Sequence, residues 1–175
     1  MATKETWSKL RYFKPNDPVD KWGDADAIND VLILALDDFR HYVQCPIYVT
    51  AGVKDSGHSA KSFHYREQGA CAVDVVITEY KKSAVDLILD ATRFGFTGIG
   101  YYPNWHWNGM KGNGLHLDMR PLIWESDNTL NYSHSRWMGI KQIVNGSEKQ
   151  VYIPMTFENI IKYGGIYEIV SNSLN

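Results

Sequence analysis

Cysteine is scarce in this 175-residue chain, which has only Cys45 and Cys71. Two cysteines in that length do not make a disulfide framework, so both are read as reduced thiols. Long apolar runs are missing too. None reaches the roughly 18 residues of a membrane-spanning helix, and the opening MATKETWSKLRYF has no apolar signal core. Charge of one sign is not in excess. A net charge of −2 gives no global attraction to nucleic acid or to anionic membranes. No Gly-x-Ser-x-Gly elbow is present, which argues against a serine hydrolase. Repeats, linkers and low-complexity tracts are absent.

What is present suits a globular chain. Hydrophobic residues make up 44% and charged residues 22%, and the length suits a single domain with a real core. Aromatics reach 13%. They either fill the core or line a substrate groove, and composition does not choose between the two.

Residues 1–23 are polar and aromatic and read as an N-terminal arm. Asp24 is expected to cap a helix over 25–43, with Ile28, Val31, Leu32, Ala35, Leu36 and Phe39 on its buried stripe. The run 47–51 is β-branched and aromatic, hence a strand. Residues 52–69 read as loop and 71–77 as a second strand. Ser83 caps a helix that Gly95 stops. A strand over 97–102 ends at Pro103, a loop rich in Asn, Gly and Trp covers 104–113, and 114–119 is a further strand. Asn145-Gly146 signals a hairpin. Thr156 caps a last short helix that ends at Gly164. Strands and helices mix without βαβ alternation, so the expected class is α+β: a mainly antiparallel sheet with helices packed on one face.

Four stretches bear on chemistry: GHSAKSFHY (57–65), CAVDVVI (71–77), GIGYYP (98–103) and GLHLDMR (114–120). On a strand, alternate residues share a face. His116 and Asp118 then point one way, and Leu115, Leu117 and Met119 the other. Asp74 is a carboxylate within an apolar strand, and such a group must be paired or bound to metal. Cys71 points away from it and is not counted as a ligand. His64 precedes Asp74 by a loop. Two histidines and one carboxylate make a catalytic zinc set, because three protein ligands leave a fourth position for water. A lone histidine on a strand is more often a satisfied structural residue than a ligand, so spacing alone favours the structural reading over zinc.

The order and wording of these stretches resemble the zinc D-Ala-D-Ala carboxypeptidase family, which includes phage L-alanyl-D-glutamate endopeptidases and has the hedgehog signalling domain as a distant cousin. The family's Ser-x-His, Gly-containing turn and Ala-x-Asp correspond to Ser62-Phe63-His64, Gly69 and Ala72-Val73-Asp74. Its Gly-Val/Ile-Gly-Tyr-Tyr-Pro and apolar-His-x-Asp correspond to residues 98–103 and to Leu115-His116-Leu117-Asp118. The resemblance covers roughly residues 18–124 and leaves 125–175 as an extension of unknown role.

The resemblance implies a hedgehog/DD-peptidase-like fold and zinc held by His64, Asp74 and His116. It implies hydrolysis of peptide bonds in bacterial peptidoglycan by a metal-activated water, as a carboxypeptidase or endopeptidase. With no signal core, it implies cytoplasmic synthesis and delivery to the wall by lysis or as a virion component. The alternatives are a catalytically degenerate zinc-containing binding module, and an amidase or esterase whose Trp105 and Trp107 stack on glycan. The chain departs from the family pattern in three places. Asp74 follows His64 by ten residues where seven is usual, Lys54 stands where many members have an arginine for the substrate carboxylate, and Asn113 stands where many have a glutamate base.

Asp118 is therefore the first choice for general base, with orienting a ligand or pairing with Arg120 as the competing reading. His106 either stabilises the tetrahedral intermediate or is a plain loop residue. Lys54, Ser62 and Tyr101 are the expected substrate-binding residues. Ser62 has a turn-forming alternative, Tyr101 and Tyr102 a packing one, and His58 is either a second-layer or substrate-contacting group or, the safer reading, an exposed loop histidine. No basic cluster adjoins the proposed site, which argues against a nuclease.

Overall fold

A computed structural model describes residues 1–55, 62–120, 123–124, 130–131 and 135–164. The elements run α1 (Lys4–Ser8), α2 (Asp30–Val43), β1 (Ile47–Ala51), β2 (Ala72–Ile77), α3 (Ala84–Arg93), β3 (Gly98–Trp107), β4 (Met110–Asp118), β5 (Ile123–Trp124), β6 (Leu130–Asn131), β7 (Ser135–Val144), β8 (Ser147–Pro154) and α4 (Phe157–Gly164). Six strands form one sheet in the order β1-β2-β4-β3-β7-β8, and β5 and β6 pair separately. Neighbours in the large sheet are antiparallel except β3 and β7, which are parallel. The class is α+β, as expected. No helix among the described residues is long and apolar enough to cross a membrane.

Strand alternation sorts the sheet into two faces. Val73, Val75, Ile99, Tyr101, Leu115, Leu117, Met138 and Ile140 lie on one face and join Leu32, Leu36, Phe39, Leu87, Ala91 and Ile160 of the helices in a single buried cluster. Each fully buried Leu, Ile or Phe in such a cluster contributes about 1.5–3 kcal/mol over leaving it exposed. The opposite face carries Asp74, His116 and Asp118.

Three expectations need correction. The second helix begins at Asp30 with Asn29 as its cap, not near Ala25. The backbone between is committed elsewhere: Ala27 N–H donates to Asp24 O, Ala2 N–H to Ile28 O and Asn29 N–H to Ala70 O. The N-terminal arm contains a helix, α1, capped by Thr3, and buries Trp7, Phe13 and Trp22 in the core. Residues 104–113 are not a loop. β3 runs through Pro103 with a register shift between Tyr102 and Trp105, and β4 returns from Met110. The turn is Asn108-Gly109, with φ of 48° and 78°. Both residues at positive φ define the tight hairpin turn whose twist suits the flanking strands.

The remaining elements follow the sequence closely. Ser83 closes a capping box with Asp86 at the start of α3. Asn145-Gly146 turns β7 into β8. Thr156 Oγ1 accepts from Asn159 N–H at the start of α4. Cys45 and Cys71 are free and buried, and burial pushes both thiols up to about 11. Gly57, His58 and His134 lie outside the described residues.

Candidate metal centre

The site is built on strand register. Asp74 of β2 faces His116 of β4 across an antiparallel pair, and Gly100 of β3 faces His116 from the other side. His64 arrives from the β1–β2 connection. A turn in which Tyr65 N–H donates to Ser62 O sets its position, and Lys54 N–H donates to the His64 carbonyl at 3.1 Å. His64 is 2% exposed.

Three atoms able to ligate a metal converge. His64 Nε2 lies 3.3 Å from His116 Nδ1 and 3.4 Å from Asp74 Oδ1. His116 Nδ1 lies 2.8 Å from Asp74 Oδ1. Ligand atoms about 2.0–2.1 Å from a tetrahedral ion stand roughly 3.3 Å apart, so this spacing fits one shared cation. His64, Asp74 and His116 could together hold a metal ion.

The outer nitrogens of both rings are engaged. His64 Nδ1 is 2.7 Å from the Gly52 carbonyl, which only accepts, so this nitrogen carries the proton and Nε2 keeps its lone pair. His116 Nε2 is 3.1 Å from Asp118 Oδ2, which leaves Nδ1 as the inward-facing atom. A carbonyl or carboxylate behind a histidine fixes ring and tautomer and makes a better metal ligand.

Electrostatics favour positive charge here. Burial works to lower the His116 pKa, but hydrogen bonds to Asp118 and Asp74 outweigh it and push it up to about 9. Burial would raise Asp74, yet its contacts with His116 and His64 hold it well below the usual carboxylate range. Lys54 Nζ stands 3.5 Å from Asp74 Oδ2.

Asp118 is fully buried. Its carboxylate accepts from His116 Nε2 and from Arg120 Nε, Nη2 and backbone N–H. Burial raises its pKa, but Arg120 and His116 hold it well below the usual range. The carboxylate thus sits behind His116, away from the inward-facing Nδ1. That is the geometry of the orienting role rather than of a base beside the metal.

Two glycines make room for this arrangement. A Cβ on Gly98 would stand 2.1 Å from Asp118 Oδ2, and one on Gly100 would stand 2.5 Å from Trp137 Cε2. Trp137 of β7 packs on the His116 ring at 5.1 Å between centroids. Arg120 is covered in turn by Phe63, 4.7 Å from guanidinium carbon to ring centroid.

The other expected residues fall in different places. Ser62 Oγ accepts from the His64 backbone N–H at 3.4 Å, a turn-forming contact. Tyr101 is a correction: it is 1% exposed in the core, and its hydroxyl donates to Asn113 Oδ1. Its neighbour Tyr102 faces the site instead. His106 is exposed near the tip of the β3–β4 hairpin, opposite Lys111, and is not among the residues lining the adjacent cleft. That cleft, of about 340 Å³, includes Lys54, Asp74, Tyr102, Trp105 and Tyr152 in its lining. Trp137 and Tyr152 were not foreseen. Both lie beyond residue 124, where no motif marks them.

No protein-family model, curated protein or solved structure matches the chain.

Proposed function

We propose that the chain is a zinc-dependent peptidase of bacterial peptidoglycan, with a fold of the hedgehog/DD-peptidase type. The observation that carries this reading is the convergence of two imidazole nitrogens and one carboxylate at the edge of an open cleft, each imidazole held from behind. Two imidazoles and a carboxylate suit zinc, and three ligands leave a position for water. When bound, zinc lowers the pKa of water towards roughly 7 and polarises a carbonyl. His64 and His116 present their inward nitrogens, and Gly52 O and Asp118 hold the rings. Lys54 offers a positive charge at the cleft for a substrate carboxylate, as a point charge rather than a planar fork. The motif wording supports delivery to the wall by lysis or on a virion.

A second reading is a zinc-containing binding module without hydrolytic activity. One observation favours it: both oxygens of Asp118 are engaged, and Asp74, itself a ligand, is the only acid lining the cleft among the described residues.

The test is metal content by elemental analysis, with release of new amino groups from purified peptidoglycan, in the parent and in His64→Ala and His116→Ala. About one zinc per chain, lost with activity in both variants, supports the peptidase. Zinc without hydrolysis transfers the assignment to the binding module. No metal after zinc supplementation sinks both.

A further inference from the structure

The β7–β8 hairpin lies outside the segment that resembles the peptidase family, yet it walls the cleft beside the metal centre. Gln150 and Tyr152 of β8 line it together with Tyr102, Trp105 and Trp107 of β3, and Asp74 joins it to the metal centre. Register places Tyr152 opposite Gly139, on the sheet face that carries Trp137 and His116. Tyr152 is 65% exposed. Tyr102 and Trp105 meet edge to face at 5.2 Å. The Trp105 indole N–H is shielded from water and has no hydrogen-bond partner among the described residues.

We propose that this cleft takes an N-acetylated amino-sugar ring of the glycan strand, so that the peptide offered to the metal is the glycan-proximal part of the stem. The proposal rests on the peptidase reading. Its chemistry is that of the lining. Aromatic faces are electron-rich and pack against the polarised C–H face of a pyranose. Gln150 and the Tyr152 hydroxyl suit ring hydroxyls and an acetamido group. A purely apolar occupant would bury these polar groups without partners. The stem peptide itself offers alanines, a glutamate and a diamino acid, none with a broad apolar face for several rings. A volume of about 340 Å³ suits one ring rather than a long peptide.

The experiment uses the full zinc-loaded chain. The indole N–H resonance of Trp105, assigned by its loss in Trp105→Phe, is followed while chitobiose is titrated in. Chitobiose has no peptide bond between amino acids and reports the sugar alone. In parallel, hydrolysis of a stem peptide is compared with and without its muramyl sugar. The expected result is a shift of the Trp105 signal and a kcat/KM advantage of roughly fivefold to tenfold for the sugar-bearing peptide. Tyr152→Ala removes that advantage, and Tyr152→Phe, which keeps the ring, retains most of it. An unmoved Trp105 signal with equal hydrolysis of both peptides overturns the sugar subsite and leaves the peptidase standing. A shifted signal with no hydrolysis of either peptide upholds the subsite and overturns the peptidase reading beneath it. Neither shift nor hydrolysis overturns both.

Discussion

Asp118→Asn separates two roles that the sequence left open. Four donors reach the Asp118 carboxylate: His116 Nε2, Arg120 Nε, Arg120 Nη2 and the Arg120 backbone N–H. Asparagine keeps the shape but has one acceptor oxygen and one NH₂ group. Arg120 Nε and backbone N–H both reach Oδ1, whereas Arg120 Nη2 and His116 Nε2 share Oδ2, so the oxygen keeps the Oδ1 place, the Arg120 Nη2 bond is lost and the NH₂ faces His116. His116 must then accept at Nε2, which places its proton on Nδ1, the atom facing Asp74 and His64. A proton there blocks the lone pair a metal needs. Loss of such a supporting partner typically weakens metal affinity about 10–100-fold, or about 1.4–2.7 kcal/mol. The assay is competition for zinc against a chromophoric chelator, with circular dichroism to confirm folding. If Asp118 were instead the general base, zinc affinity would hold and hydrolysis alone would fall, by about 10²–10⁴. A folded variant whose zinc affinity stays within about twofold of the parent would refute the tautomer argument.

Two further outcomes test the scaffold. Gly100→Ala places a Cβ 2.5 Å from the Trp137 ring, so overpacking should cost about 1–3 kcal/mol; thermal unfolding should fall by roughly 2–10 °C, and an unchanged midpoint would show that the ring can move aside. Asp20, whose Oδ1 accepts from Val49 N–H, is raised to about 6, chiefly by burial. In the unfolded chain it ionises near 3.8, so from about pH 4 to 6 the folded state holds the extra proton and stability falls as pH rises. Asp20→Asn should remove that component, and parallel denaturant midpoints for parent and variant across this range would count against it.

Local chemistry made much of this architecture legible. The alternation in 114–119 correctly placed His116 and Asp118 on one face and the leucines on the other. The capping signals at Ser83 and Thr156 and the turn at Asn145-Gly146 each work through neighbouring backbone, so a short window holds the whole cause. The hairpin at Asn108-Gly109 carries the same dipeptide signal, obscured by Pro103 and by the tryptophans around it. What stayed hidden depends on distant partners. Asp24 has the chemistry of a helix cap, but the bonds to Ala2 and Ala70 move the helix start to Asp30. Tyr101 and Tyr102 are adjacent and alike. Only sheet register, with Gly100 against Trp137, sends one to the core and the other to the cleft. The parallel pairing of β3 with β7 brings Trp137 onto His116 across 21 positions of sequence, and nothing near residue 137 announces it.

The pairing of Asp74 with His116 across β2 and β4 has a consequence for how the chain finds its fold. A slip of one residue in β4 would turn Leu115 and Leu117 outward and drive His116 and Asp118 into the apolar core. In the native register, however, the site face gathers two imidazole nitrogens and a carboxylate oxygen within 3.4 Å of one another. A divalent ion bridging β2, β4 and the chain that precedes β2 would therefore proofread strand alignment. It would bind the correct pairing and have nothing to grip in the slipped one, so a slipped β4 would revert in its presence rather than persist.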